Sequence, residues 1–220
     1  MSSQPLRPRP IWDLPVRVFH WLLAPAIAVM WWSGESGEMQ VHQWTGYGLL
    51  CLVLTRVMWG FVGSEGARFS SFVRGPAVIR AYLSVATQSP GHNPLGALSV
   101  LAFLALLAAQ ALSGLASRDD LLFEGPFAYW AGDWSAKLTE WHELNWTLLQ
   151  ALIVLHLAAV AFLQWRRGQP LIQAMWRGHA GSKKAEQLPK PAWRALVILF
   201  AWAALLWWLI LVAPQAPSYY

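Results

Sequence analysis

Cys51 is the only cysteine in this chain. A single thiol closes no internal disulfide, forms no CxxC metal knuckle and offers no CxxCH motif for covalent attachment of a cofactor. Charge is also scarce. Asp, Glu, Lys and Arg together make up 12% of 220 residues, about half the share of an ordinary soluble domain. Nor is there a nucleotide-binding glycine loop, an HExxH pair, a serine nucleophile elbow or a repeat of fixed period, so hydrolytic and nucleotide chemistry have no visible support. No cleavable signal is evident either, because the first apolar run begins only after a proline-rich arm, and the first helix is expected to remain as a span.

Apolar residues fill the space that charge leaves. They make up 56% of the chain, with 16 Trp among them, and five segments are long enough to cross a hydrocarbon layer of about 30 Å. The spans are expected near 18–34, 42–63, 95–116, 142–165 and 193–213. The fold class is therefore all-α, an integral membrane bundle. The first span is short and carries Pro25, where a bend is expected. Trp31, Trp32, Trp44, Trp59, Trp141 and Trp165 lie near span ends and read as interfacial anchors.

The basic residues fall on one side of this layout. Arg7, Arg9 and Arg17 precede the first span; Arg68, Arg74 and Arg80 follow the second; Arg166, Arg167, Arg177, Lys183, Lys184 and Lys190 follow the fourth. The other side has only Arg118 and Lys137, set among Asp119, Asp120, Glu124, Asp133 and Glu140, with Glu35 and Glu38 in the first outer loop. The positive-inside rule then puts the N-terminus in the cytoplasm and Tyr219 and Tyr220 outside. A net charge of +5 thus records topology, and nucleic acid is not an expected partner.

Against this apolar background, His20, His42, His142 and His156 stand inside or at the edges of spans. A polar ring at membrane depth is costly and usually has a functional partner. His142 and His156 are fourteen residues apart, which returns a helix to within roughly 40° of the same face after about 21 Å. One helix can therefore offer an imidazole near each side of a bilayer. His20 lies near the cytoplasmic start of span one and shares a depth with His156; His42 and His142 open their spans from the outer side and share the other depth. The expected pairs are His20 with His156 and His42 with His142, which matches two stacked, non-covalent b-type haems with two axial ligands each. A histidine used only as a helix-to-helix hydrogen bond is the plain reading of any one of the four, but it does not account for two matched depths.

The same step of fourteen joins His20 to Gly34 and His42 to Arg56. Gly34 is expected beside the outer haem, where a missing side chain lets a macrocycle approach the backbone. Gly46, one turn after His42, and Gly114 near the outer end of span three are expected to open space in the same way. Arg56 is expected at the inner haem, where a propionate suits a charge that shares its depth with no Asp or Glu of the expected spans. His92, in a turn, and His179, in a basic segment, are expected not to be ligands.

At these residues a resemblance becomes specific. IWDLPVRVFHWLL, VHQWTGYGLLCLVLTRVMWGFVG, ARFSSFVRGP, GHNPLGALSV, DDLLFEGP and LTEWHELNWTLLQALIVLHLAAV occur in the order and at the intervals of the bacterial di-haem cytochrome b family. That family includes the b-type subunit of nickel-iron hydrogenases and, more distantly, bacterial cytochrome b561. The likeness covers about residues 10–180. It implies that His20, His42, His142 and His156 are axial haem ligands, and that the chain carries electrons across the membrane between a periplasmic partner and the quinone pool.

On this reading, residues 1–180 form a four-helix haem-binding domain, and 181–220 add a basic linker and a fifth C-terminal transmembrane helix without a cofactor. No residue is expected to be catalytic, because iron with both axial positions filled cannot bind substrate without losing a ligand. The partner implied is a hydrogenase or dehydrogenase subunit or a periplasmic c-type cytochrome; the acidic outer segment 117–141 is expected either to dock it or to cover the outer haem as a lid. Two other classes compete. A superoxide:quinone oxidoreductase acting at the outer haem needs a cationic funnel there, and a haem-free transporter needs discontinuous helices and repeats.

Overall fold

The computed structural model describes residues 12–73, 75, 77, 94–119, 123–178 and 188–214. The expectations for His92, His179, Arg7, Arg9, Arg74, Arg80, Asp120, Lys183, Lys184, Tyr219 and Tyr220 lie outside these residues. Among the described residues the structure is helical throughout: α1 (Leu14–Glu35), α2 (Met39–Val62), a 3-10 turn (Glu65–Ala67), α3 (Phe69–Phe72), α4 (Pro94–Ala116), α5 (Ala128–Ala131), α6 (Trp134–Arg166), α7 (Leu171–Arg177) and α8 (Trp193–Val212). Five of them, α1, α2, α4, α6 and α8, are long and apolar enough to cross a membrane. The fold is an all-α membrane bundle.

Local chemistry sets the ends of the first hairpin. Asp13 caps α1 by accepting from the Val16 N–H at 3.1 Å, the role a short carboxylate side chain fills at a helix start. Its other oxygen accepts from Trp59 Nε1 at 2.8 Å, which ties the start of α1 to the end of α2. Trp59 is only 1% exposed; it is an internal strut and not the interfacial anchor expected from its position. Trp31, Trp32, Trp44, Trp141 and Trp165 are exposed, as anchors should be. Between α1 and α2 the chain reverses at Gly37, whose φ of +74° lies in the left-handed region that favours glycine.

Two spans differ from expectation. α1 is a 22-residue element that starts at Leu14, four residues before the expected span, and is not short; it contains Pro25, whose ring leaves the Trp21 carbonyl without its helical donor. α6 starts at Trp134, eight residues before His142, and runs 33 residues, about 50 Å. Its first two turns therefore belong to the segment 117–141, whose described residues include helix as well as loop. Ser135 donates to the Ala116 carbonyl, and Thr139 exchanges hydrogen bonds with the Arg118 backbone. These bonds suppress the sequence signal: Ser and Thr there look like loop residues, yet each satisfies backbone at the junction of α4 and α6.

α2 is the central helix, packed against α1, α4 and α8, while α4 packs along α6. Leu49 and Val53 of α2, Leu104 and Leu107 of α4 and Leu149 of α6 form a buried layer at mid-depth, flanked by Phe19, Leu23 and Ile27 of α1. At the end of the bundle where α1 starts, Arg17 donates to the Trp176 carbonyl, and Lys190 Nζ donates to the Val62 carbonyl at 2.7 Å. The outward faces are apolar, with Val154, Leu155, Leu157 and Phe200 all exposed. Lipid is a suitable solvent for such faces.

Candidate haem-binding sites

The four histidines meet as two pairs, and the pairs are those expected from depth. The His20 and His156 rings stand 6.5 Å apart between centres, and the His42 and His142 rings 6.2 Å apart. Two imidazoles on opposite sides of one metal, each bound at about 2 Å through a ring nitrogen, have centres roughly 6.2 Å apart, counting about 1.1 Å from nitrogen to centre. α6 carries one ring of each pair and packs most extensively on α4, while α1 and α2 carry the other two rings and pack on each other. Each pair thus joins rings from two different helices.

Hydrogen bonds decide which nitrogen is free at the outer pair. His42 Nδ1 lies 3.0 Å from the Met30 carbonyl and 3.3 Å from Ser33 Oγ. His142 Nδ1 lies 2.9 Å from the Gln110 carbonyl and 3.2 Å from Ser113 Oγ. A carbonyl can only accept, so Nδ1 carries the proton and Nε2 keeps its lone pair for a metal. At the inner pair, His20 Nδ1 is buried with no hydrogen-bond partner, and Phe103 packs edge-on against His156.

No group of three or more His, Cys, Asp or Glu among the described residues is arranged to hold a metal ion. Two nitrogens are too few for a bare ion, and they suit a metal that brings its own equatorial ligands, as haem iron does. Arg56 supplies a further sign of fit. It is 4% exposed in mid-bundle, its Nη1 has no hydrogen-bond partner, and its guanidinium lies over the Phe69 ring. Asp13 acts on it electrostatically, but no ion pair within 4 Å joins them. A buried guanidinium with an open donor is costly unless an anion reaches it, and a haem propionate has that chemistry. Asp13, just outside α1, is the nearby carboxylate that counting only residues within spans misses.

The glycines rank differently from expectation. A Cβ on Gly114 falls 2.8 Å from His142 Cε1, closer than real contacts allow; one on Gly34 reaches His42 at 3.4 Å, an ordinary contact; one on Gly46 meets Met30 Cε at 3.5 Å instead of a histidine. Gly114 is therefore the position where the missing side chain matters most. Gly114→Ala is expected to displace the His142 ring and lower haem binding at the His42–His142 pair by half or more, since overpacking costs about 1–3 kcal/mol. Gly34→Ala should leave haem content near native. Absorbance per chain of the two purified variants checks the contrast.

Sequence reasoning missed Ser33, Ser113, Met30 and Gln110. The available signal was a serine directly before each of the two glycines that face histidine, in helices where serine has little other reason to be buried.

Comparison with known proteins bears on the same residues. The family model described as prokaryotic cytochrome b561 matches residues 11–178. Similar proteins include the "Probable Ni/Fe-hydrogenase 1 B-type cytochrome subunit" of Escherichia coli (strain K12), 23% identical over an alignment that covers 79% of this chain and 91% of that protein. The "Probable Ni/Fe-hydrogenase B-type cytochrome subunit" of Azotobacter chroococcum mcd 1 is 28% identical, covering 76% of this chain and 87% of that protein. The protein of the same description from Bradyrhizobium diazoefficiens is 24% identical, covering 76% and 84%. No solved structure matches the chain. The matched stretch contains all four paired histidines and runs from before α1 to the end of α7, and on that basis the chain belongs to the prokaryotic cytochrome b561 family.

Proposed function

We propose that this protein carries electrons across the bacterial inner membrane through two b-type haems, an inner one held by His20 and His156 and an outer one held by His42 and His142. Membership of a b-type cytochrome family implies haem b and points to transmembrane electron transfer. The observation that carries the finer reading is the pair of matched ring separations, 6.5 and 6.2 Å, each joining a ring of α6 to a ring of α1 or α2. When bound, haem b would supply a one-electron iron couple, and these four rings are the residues that would hold it.

The chain's own residues then have separable tasks. Met30 and Gln110 hold the outer rings in one tautomer through their carbonyls. Arg56 would hold a propionate at the inner site, and Gly34 and Gly114 leave room beside the outer rings. Leu49, Val53, Leu104, Leu107 and Leu149 keep water out of the layer between the two depths. Residues 1–180 are the electron-transfer domain; the linker and α8 within 181–220 brace α2 and carry no cofactor. The N-terminus is cytoplasmic and the C-terminus periplasmic.

Quinone is the inner partner in this reading. A cleft of about 390 Å³ opens where α1, α6 and α7 meet, lined by Trp21, Trp165, Trp176, Gln164, Gln173 and Arg177 among others. Trp21 packs edge-on against His20. Flat aromatic walls with amide and guanidinium donors suit a ring that carries two carbonyls. The outer partner is a hydrogenase subunit, as the names of the relatives suggest, or a c-type cytochrome, docking on the acidic segment 117–141. Superoxide chemistry at the outer haem is the weaker reading, because Lys137, one of two outer cations, is already paired with Glu140.

The test is a haem count and a transfer measurement on the whole protein. A pyridine haemochrome assay should find two non-covalent b haems per chain. In vesicles, an impermeant donor outside should reduce quinone in the membrane. One haem per chain, a covalent c-type spectrum, or reduction no faster than in empty vesicles overturns the proposal.

A further inference from the structure

The outer histidines are held by two copies of one arrangement that the inner pair lacks. In the first copy, α1 presents the Met30 carbonyl, Ser33 Oγ three residues on and Gly34 after it, all against His42. In the second, α4 presents the Gln110 carbonyl, Ser113 Oγ and Gly114 against His142 in the same spacing. The distances agree within 0.1 Å: 3.0 and 2.9 Å to the carbonyls, 3.3 and 3.2 Å to the hydroxyls. Each serine donates its own proton to a carbonyl of its helix, Ser33 to Val29 at 2.7 Å and Ser113 to Gln110 at 3.1 Å. The hydroxyl oxygen therefore faces the imidazole as an acceptor. Ser33 is fully buried and Ser113 is 7% exposed, so neither bond is shared with bulk water.

Resting on the two-haem reading above, we propose that these Ser-Gly clamps make the outer haem the lower-potential site, so that electrons run inward. Two acceptors on Nδ1–H push electron density toward Nε2 and make each outer imidazole a stronger donor, which favours oxidised iron. The inner site differs in two ways that act in the opposite direction. His20 Nδ1 has no acceptor, and the buried charge of Arg56 on the neighbouring helix favours the added electron. Ser33 and Ser113 are positioning residues here: they act on the iron through the ring.

A spectroscopic redox titration of the full-length protein tests this. His42→Ala, which keeps only the inner haem, and His156→Ala, which keeps only the outer, assign the two couples. The outer couple should titrate at the lower potential. The Ser33→Ala, Ser113→Ala double variant should raise the outer couple by about tenfold in its reduction equilibrium, about 59 mV for one electron, and leave the inner couple in place. Ser113→Thr, which keeps the hydroxyl, should hold the native value. Loss of the outer haem alone in the alanine variants, with retention in Ser113→Thr, also supports the clamp. An outer couple above the inner in the native protein, an outer couple unmoved by the alanine pair, or loss of both haems in it overturns the inference. Fewer than two haems in the native protein is a different result and overturns the two-haem reading itself.

Discussion

Alanine at His20 or at His156 should bring the haem content from two per chain to about one, and both variants should lose the same haem. Alanine at His42 or His142 should remove the other. The expectation follows from the ring pairs, since each imidazole is one of the two rings proposed to hold its haem. Removing one would leave that haem held from a single helix. His142 and His156 make the sharpest comparison, because they share α6 and yet should empty different sites. A pyridine haemochrome assay with low-temperature absorption spectra distinguishes the two haems. A crossed pattern, in which His42 and His156 report on the same haem, would overturn the pairing.

The second large effect is expected at Arg56. Arg56→Leu removes a buried cation whose Nη1 has no protein partner, and leaves the anion proposed to meet it uncompensated in a medium of low dielectric. A unit charge lost at ~10 Å, with an effective dielectric of ~20, is worth roughly 1.5 kcal/mol, or about tenfold in the reduction equilibrium. The inner couple should fall by on the order of 60 mV, or the inner haem should be lost. The outer couple should change little, because His42 lies about 21 Å away along α2. Redox titration reads the result directly: full haem content with an unmoved inner couple, or a shift confined to the outer one, removes Arg56 from the inner site. Asp13→Asn serves as a control for the other charge near Arg56; it should loosen the Trp59 strut and lower stability more than it moves either potential.

The depths of the four histidines were legible in the chain alone, because a helix advances a fixed 1.5 Å and 100° per residue. Five apolar segments, their alternating direction and a spacing of fourteen were enough to set His20 opposite His156 and His42 opposite His142, and the rings do meet in those pairs. Helix lengths were read less well. The outer start of α6 is held by Ser135 and Thr139 bonding to the backbone of residues 116 and 118, contacts that leave no periodicity to detect.

What tertiary structure decided is which faces touch. Rotation of one helix against another is set by side-chain packing between segments far apart in sequence, and no one-dimensional pattern records it. Trp59 could be an anchor or a strut until Asp13 was found beside it, and Gly114 gained its importance over Gly34 from the approach of α6 to α4. Ser33 and Ser113 look like two ordinary serines until the hairpins close and set each oxygen against a histidine. Composition and helical rise thus determined the bundle and the two levels of imidazole, while the packing of α1 on α2 and of α4 on α6 decided the hydrogen bonds that make those levels different.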